Sequence, residues 1–421
     1  MDAYQATGKA EYAELVRELF TYVLRDMTAP EGGFYSAEDA DSEGEEGKFY
    51  VWKPKEVIQI LGKERGERFC KIHNILDGGN FRDEASGSGN GHSIPHLQKS
   101  LAEIAKDLNL KSSKLAEELE ADRRKLFTVR EKRIHPQKDD KVLTDWNGLM
   151  IAAMARAGTV LGEDRYTRAA KRAADFSLQT LRRKDGRLLK RYRAGEAGLP
   201  AHIEDYAFLT WGLLNLYEAT FDVSYLQEAI SLNDLTLKHF WDSKDGGFFM
   251  TADDGEKLLV RHKEIYDGAI PSGNSVTALN LLRIGRITGR AELEEKAAEV
   301  MKAFSLDVQR NPSAYTQLMH ALDFAAGPSL EIVVAGDLKD PQTHTLLKAL
   351  HKDFIPNKVI LHRPLGSDAS IMEIAPYTEF QAPAKDGIPQ VYVCRNYQCK
   401  QPVSEAKDLA RHLTEAFDSK P

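Results

Sequence analysis

The sequence predicts a mainly α-helical fold, a ring of helix hairpins of the (α/α)6 toroid kind, followed by a small α/β appendage. Three observations predict it. Apolar residues recur at helical spacing through about the first 325 residues. An apolar helix followed by a more polar one repeats at an interval of roughly 60 to 70 residues. The pattern changes to short β-branched runs after Gly327. This places a helical toroid with β-hairpin insertions at 1–327 and the appendage at 328–421.

Taken in order, Tyr12, Leu15, Leu19 and Val23 form the first helical stripe, and Pro30-Glu31-Gly32-Gly33 is a turn. Two strand-like runs follow, Gly33 to Ser36 and Lys48 to Trp52, with an acidic loop from Ala37 to Gly47 between them. Asp77 to Ser93 is rich in Gly, Ser and Asn and reads as a long loop, and 112–132 reads as a strongly charged helix with a solvated face. Leu149 to Val160, Phe208 to Ala219 and Val276 to Ile287 are apolar nearly all round, as helices buried on both sides must be. Each is followed by an amphipathic helix: Arg165 to Arg182, Tyr225 to Trp241 and Glu292 to Phe304. Such pairs cannot bury their faces alone, so they stack; a closed ring is favoured over an open solenoid. In the appendage, strands are expected at Leu330 to Val334, Lys358 to Leu361 and Gln390 to Val393, with helices at Pro341 to Leu350 and Ser404 to Phe417 and a partly parallel sheet.

Bulk properties exclude several classes. The net charge is −7, whereas a surface that follows nucleic-acid phosphates is basic. No apolar run approaches the ~20 residues of a membrane span, and MDAYQATGKAEYAE has no apolar signal core. A cytoplasmic location is the default expectation. Cys70, Cys394 and Cys399 are too few for a disulfide framework. The Cys394–Cys399 spacing fits a local disulfide, half a metal site or two inert buried thiols.

Three inner helices open on polar signatures: Thr144-Asp145-Trp146-Asn147-Gly148, His202-Ile203-Glu204-Asp205-Tyr206 and Pro271-Ser272-Gly273-Asn274-Ser275. Asp, Asn and Ser at such positions serve as ordinary helix caps. In a toroid, however, equivalent helix starts converge on one mouth. Trp146, Tyr206 and Tyr266 then supply aromatic faces suited to sugar rings. Glu38, Asp39 and Asp41 form the sharpest acidic cluster, and close carboxylates can divide into acid and base. The bland reading is a solvated acidic turn. His202 beside Glu204 and Asp205 is a candidate proton shuttle. Arg261 and Asp267 precede Ser272 and are candidates for the same mouth. Asp39-x-Asp41 lacks the flanking helices of a calcium loop, and His92 and His96 lack a third ligand. Neither a metal nor a cofactor is assigned.

The stretches Gly32-Gly33-Phe34-Tyr35-Ser36-Ala37-Glu38-Asp39-Ala40-Asp41-Ser42, Leu143 to Met150, Glu204 to Ala207, Asp267 to Ser275 and Val393 to Cys399 occur in one order along nearly the whole chain. In them the sequence resembles the spermatogenesis-associated thioredoxin-like family. That resemblance implies a thioredoxin-like domain followed by a six-hairpin toroid similar to N-acylglucosamine 2-epimerases and six-hairpin glycosidases. The thioredoxin-like portion and the early hairpins have no counterpart before Asp2-Ala3-Tyr4, so the toroid is expected to be incomplete at its N-terminus. A partner chain or self-association would supply the missing hairpins.

The functional expectation is a carbohydrate-active protein, glycoside hydrolase-like or epimerase-like, with a small sugar-like ligand. Asp39, Asp41, Glu204, Asp205 and His202 are the candidate catalytic residues. Glu38, Asp145, Trp146, Asn147, Tyr206, Arg261, Asp267, Ser272 and Asn274 are candidates for binding. The alternative is a non-catalytic glycan- or protein-binding module, or one linked to redox chemistry.

Overall fold

The computed structural model describes residues 1–82, 87, 89–366 and 369–418. Of the loop expected at 77–93, residues 83–86 and 88 lie outside the described residues. Contacts divide the chain into two compact units, 1–36 with 140–421, and 37–139.

The first unit is mainly helical and of the α/α toroid type. Its inner helices are Thr144–Leu161, Ile203–Thr220 and Gly273–Thr288. Their outer partners are Asp164–Thr180, Val223–Phe240 and Ala291–Ala303. Each inner helix starts a few residues before its apolar run, so the polar signature forms its first turn. Burial separates the two sets as the pattern requires. The second inner helix buries Phe208, Leu209, Leu213, Leu214, Leu216 and Tyr217 around most of its circumference. Its outer partner buries a stripe, Tyr225, Leu226, Ala229, Leu232, Thr236 and Phe240. Neighbouring inner helices touch at glycine: a Cβ on Gly148 would lie 2.3 Å from the Phe208 carbonyl carbon, and one on Gly212 would lie 2.7 Å from the Gly148 oxygen.

The helix Ala10–Asp26 corrects the first stripe. Ala13, Phe20 and Val23 face the core, while Leu15 and Leu19 are 61% and 49% exposed. The expected stripe had joined residues from two sides of one cylinder; the packed row runs through 13, 20 and 23.

In the same unit, Leu330–Ala335 pairs in parallel with Lys358–Arg363 and antiparallel with Gln390–Arg395. The expected mixed sheet is therefore present, flanked by Pro341–Lys352 and Ala406–Asp418. Alternation explains how it docks. Val333, Val359 and Leu361 join the toroid core, whereas Ile332, Val334 and Ile360 pack with Leu346, Leu350 and Leu409 on the other side. A two-residue turn with positive φ at Asn396 and Tyr397 places Cys394 opposite Cys399, and the two form a disulfide.

The second unit packs Pro54–Leu61, Lys63–Ile72, Leu101–Asp107 and Ser112–Arg130 around Trp52, Val57, Phe69, Leu115, Leu119 and Leu126. The charged helix buries one face, Leu115, Leu119, Asp122 and Leu126. The run Lys48 to Trp52 is not the strand its residues predict: it turns at Gly47–Tyr50. Its carbonyls are taken by Arg133, which donates to Phe49 O at 2.9 Å and Val51 O at 2.8 Å and lies 4.1 Å over the Trp52 ring. Among the described residues no helix is long and apolar enough to cross a membrane.

Candidate functional site

The leading ends of the three inner helices stand side by side. The Asp205 carboxylate accepts the His202 N–H at 2.8 Å, which caps its own helix, and the Asp145 N–H at 3.1 Å, which ties it to the first inner helix. A Cβ on Gly273 would lie 2.6 Å from Ile203 Cγ2, so the third leading end rests on the second.

Between Asp145 and Asp205 lies Lys190. It is carried on the strand Leu189–Arg193, which pairs with Glu196–Pro200 and, through Tyr192 and Arg191, with Val142 and Leu143. Its Nζ is 2.6 Å from Asp145 Oδ2 and 3.2 Å from Asp205 Oδ1. Burial pulls the lysine down, but the two aspartates outweigh it and hold the ammonium above its usual range. Burial, reinforced by the Asp145 carboxylate, pushes Asp205 up to about 8, against the pull of Lys190 and the His202 N–H.

Glu204 is half-buried beside this group. Burial raises its carboxyl, and the nearby charges of Asp145 and Glu264 add to the rise. Burial and then Lys190 lower His202, whose side chain reaches the surface. Trp146 is 42% exposed. A raised carboxyl, an ion-paired carboxylate and an open aromatic face are thus gathered at one end of one unit.

Several other expected site residues have their polar atoms engaged by backbone. Asn147 Oδ1 accepts the Phe34 N–H at 2.7 Å, and its Nδ2 donates to Phe34 O at 2.9 Å and Leu143 O at 2.8 Å. Asn274 repeats the clamp on Phe248, at 2.7 Å and 2.9 Å, and donates to Glu264 O at 2.8 Å. Each clamp holds the Gly-Gly-Phe turn that precedes its inner helix. At the second inner helix the Tyr206 hydroxyl takes that place, accepting the Leu188 N–H at 2.9 Å. Ser272 Oγ caps its helix through the Ser275 N–H at 3.1 Å. Asp267 accepts N–H donors from Ser272 and Gln317, each at 2.8 Å. Arg261 donates to Thr251 O and stacks 4.1 Å over Phe249.

The acidic cluster lies in the second unit. Asp39 and Asp41 are exposed. Asp39 Oδ1 accepts the Asp41 N–H at 3.1 Å, an Asx turn. Glu38 accepts the Tyr50 hydroxyl at 3.1 Å and faces Lys138 at 3.6 Å. Among the described residues, His239, Asp253 and Asp254 bring possible metal ligand atoms within 4.8 Å of one another. Arg187 binds Asp254 at 2.7 Å and 3.0 Å.

Sequence reasoning missed Lys190. Its signal was a basic side chain in a short strand between two acidic helix starts, which gains meaning only when those starts are adjacent.

No family model matches the chain. It is 33% identical to human spermatogenesis-associated protein 20, over 98% of this chain and 56% of that protein. The rat protein of the same name is 32% identical over 98% of this chain and 55% of its own. The chain thus spans about half the length of the curated relatives it matches. The resemblance read from the motifs is borne out by these relatives. Similar solved structures include a family 76 α-mannanase of Bacteroides thetaiotaomicron, with TM-score 0.38, 18% identity and coverage of 52% of this chain and 59% of that one. A family 105 glycoside hydrolase of C. acetobutylicum has TM-score 0.35 and 14% identity over 72% of this chain and 73% of its own. Cellobiose 2-epimerase of Spirochaeta thermophila has TM-score 0.32 and 18% identity, covering 39% of this chain and 43% of that one.

Proposed function

From a chain homologous over almost its whole length to spermatogenesis-associated protein 20, we propose a carbohydrate-active protein that acts on a sugar-like ligand at the leading ends of its inner helices. The observation that carries this reading is the pairing of Glu204, raised by burial, with Asp145, which is charge-paired to Lys190 at 2.6 Å. Two carboxyl groups in different environments are what proton transfer to and from a sugar requires. Glu204 acts as the acid. Asp145 is the companion carboxylate, and Asp205 and Lys190 position it. Trp146 offers a face for the apolar side of a pyranose ring.

The exposed Asp39 and Asp41 are assigned no role in proton transfer here. Hydrolysis and epimerisation share this machinery and are separated by their products, a new reducing end in one case and an inverted carbon in the other.

The experiment incubates the chain with a panel of disaccharides and reducing monosaccharides and follows products by NMR. Turnover that is lost in Glu204→Gln and Asp145→Asn, with circular dichroism unchanged, supports the reading. Turnover that survives Glu204→Gln, or none on any member of the panel, removes it.

A further inference from the structure

The trailing ends of the same inner helices hold a feature this function does not use. A cavity of about 370 Å³ opens there, lined by Arg156 of the first inner helix, Trp211 and Glu218 of the second, Arg283 of the third, and His351 and Lys358 from the appendage. Most of its charges are already paired. Arg156 binds Asp2 at 2.6 Å, and Arg283 binds Glu218 at 3.0 Å. A free anion would therefore meet little net positive charge. Lys358 is different: Nζ donates to Leu350 O at 3.0 Å and, among the described residues, has no carboxylate within ion-pair distance. The cavity wall also holds Gln317, whose buried Nε2 has no partner among the described residues.

A lysine in such a place is a nucleophile in waiting. Its single hydrogen bond leaves the nitrogen lone pair free once a proton is lost. Burial, with Arg156 opposed by Glu218 and Asp353, brings Lys358 down to about 8. Neighbouring His351 is lowered to about 3 by burial, Lys358 and Arg156, so it adds no charge near neutrality. Desolvation next to a second cation is a recognised way to activate a lysine amine.

We propose that this cavity admits a small aldehyde or ketone and that Lys358 condenses with it to an imine. The amine lone pair attacks the carbonyl carbon, forming the C–N bond. The carbonyl oxygen, now a hydroxyl, takes a proton and leaves as water while nitrogen gives up its own proton. Nothing is oxidised or reduced. The groups facing Lys358 during this step are Glu218, Arg156, His351 and Asp353.

At pH 7.5 an amine with a pKa of about 8 holds roughly two hundred times more free base than one at 10.5. Lower basicity costs part of that advantage in nucleophilicity, leaving about a tenfold gain. The test treats the whole chain with glyoxylate, or with propionaldehyde as the uncharged counterpart, in the presence of cyanoborohydride, and maps the reduced adducts by peptide mass spectrometry over time. Lys358 is expected to be labelled about tenfold faster than the exposed Lys184, with Lys358→Met removing that fast adduct alone. Labelling of Lys358 at or below the rate of Lys184 in the folded wild-type chain overturns the proposal, whether or not the variant folds. A glyoxylate adduct without a propionaldehyde adduct narrows the ligand to carbonyl acids; equal rates leave carbonyl compounds in general.

Discussion

Replacing Lys190 with methionine removes the cation from between Asp145 and Asp205 and keeps the volume of the aliphatic stem. Side-chain exposure is 24% for Lys190, 7% for Asp145 and 0% for Asp205, so the carboxylates cannot recover water. Truncating one partner of a buried ion pair costs about 3–5 kcal/mol, and the partial exposure of Lys190 puts this case near the lower end. The loss must also depend on pH. Asp205 is already raised in the folded chain, to about 8, well above an unfolded aspartate. The folded state therefore binds more protons than the unfolded state between those values, and this group's contribution to stability falls as pH rises through that window. Without Lys190 the folded pKa of Asp205 rises further. The variant's deficit is then about 3 kcal/mol already at pH 5.5, where Asp145 has lost its cation, and is larger at pH 8.5 by at most about 0.8 kcal/mol, because wild-type Asp205 itself titrates at about 8. Urea unfolding at the two pH values, at constant m, measures it. Adding Asp205→Asn is expected to remove the difference between the two pH values while leaving the share that belongs to Asp145. A deficit that is equal at the two pH values, or below about 1 kcal/mol at both, refutes the buried-triad argument.

Other changes follow from single contacts. Asn274→Ala strips three hydrogen bonds from buried backbone and is expected to cost about 2–3 kcal/mol in urea unfolding; Asn274→Asp, unable to donate to Phe248 O and Glu264 O, should cost at least as much. Gly148→Ala drives a Cβ to 2.3 Å from the Phe208 backbone and should lower stability by about 2 kcal/mol or more, whereas Gly198→Ala, with open space around it, should stay within about 0.5 kcal/mol. Breaking the Cys394–Cys399 disulfide, which spans a sequence separation of 5, should cost about 2 kcal/mol, read as a lower urea midpoint for Cys399→Ser under oxidising conditions and no difference from wild type under reducing ones.

The sequence determined what is local. The spacing of Leu213, Leu216 and Tyr217, and the polar first turns at Asp145, His202 and Ser272, set helix type and helix start because caps and amphipathic periods act within a turn or two. The β-branched runs at 330–335 and 358–363 likewise announced strands on their own. Where a local pattern was satisfied by something distant, it misled. Lys48 to Trp52 has strand residues, yet Arg133 takes its carbonyls, more than eighty positions away in the chain. Asn147 and Asn274 read equally well as caps or as ligand groups, and only the placement of Phe34 and Phe248 shows their amides spent on backbone. Lys190 acquires its partners because Gly148 and Gly273 let the helix starts approach closely, and Lys358 acquires its cavity because alternate residues of one sheet dock on the toroid core. Hydrogen bonds and apolar periods along one helix are encoded by neighbours in sequence, but desolvation and charge pairing depend on which surfaces meet, and the tertiary structure alone decides that.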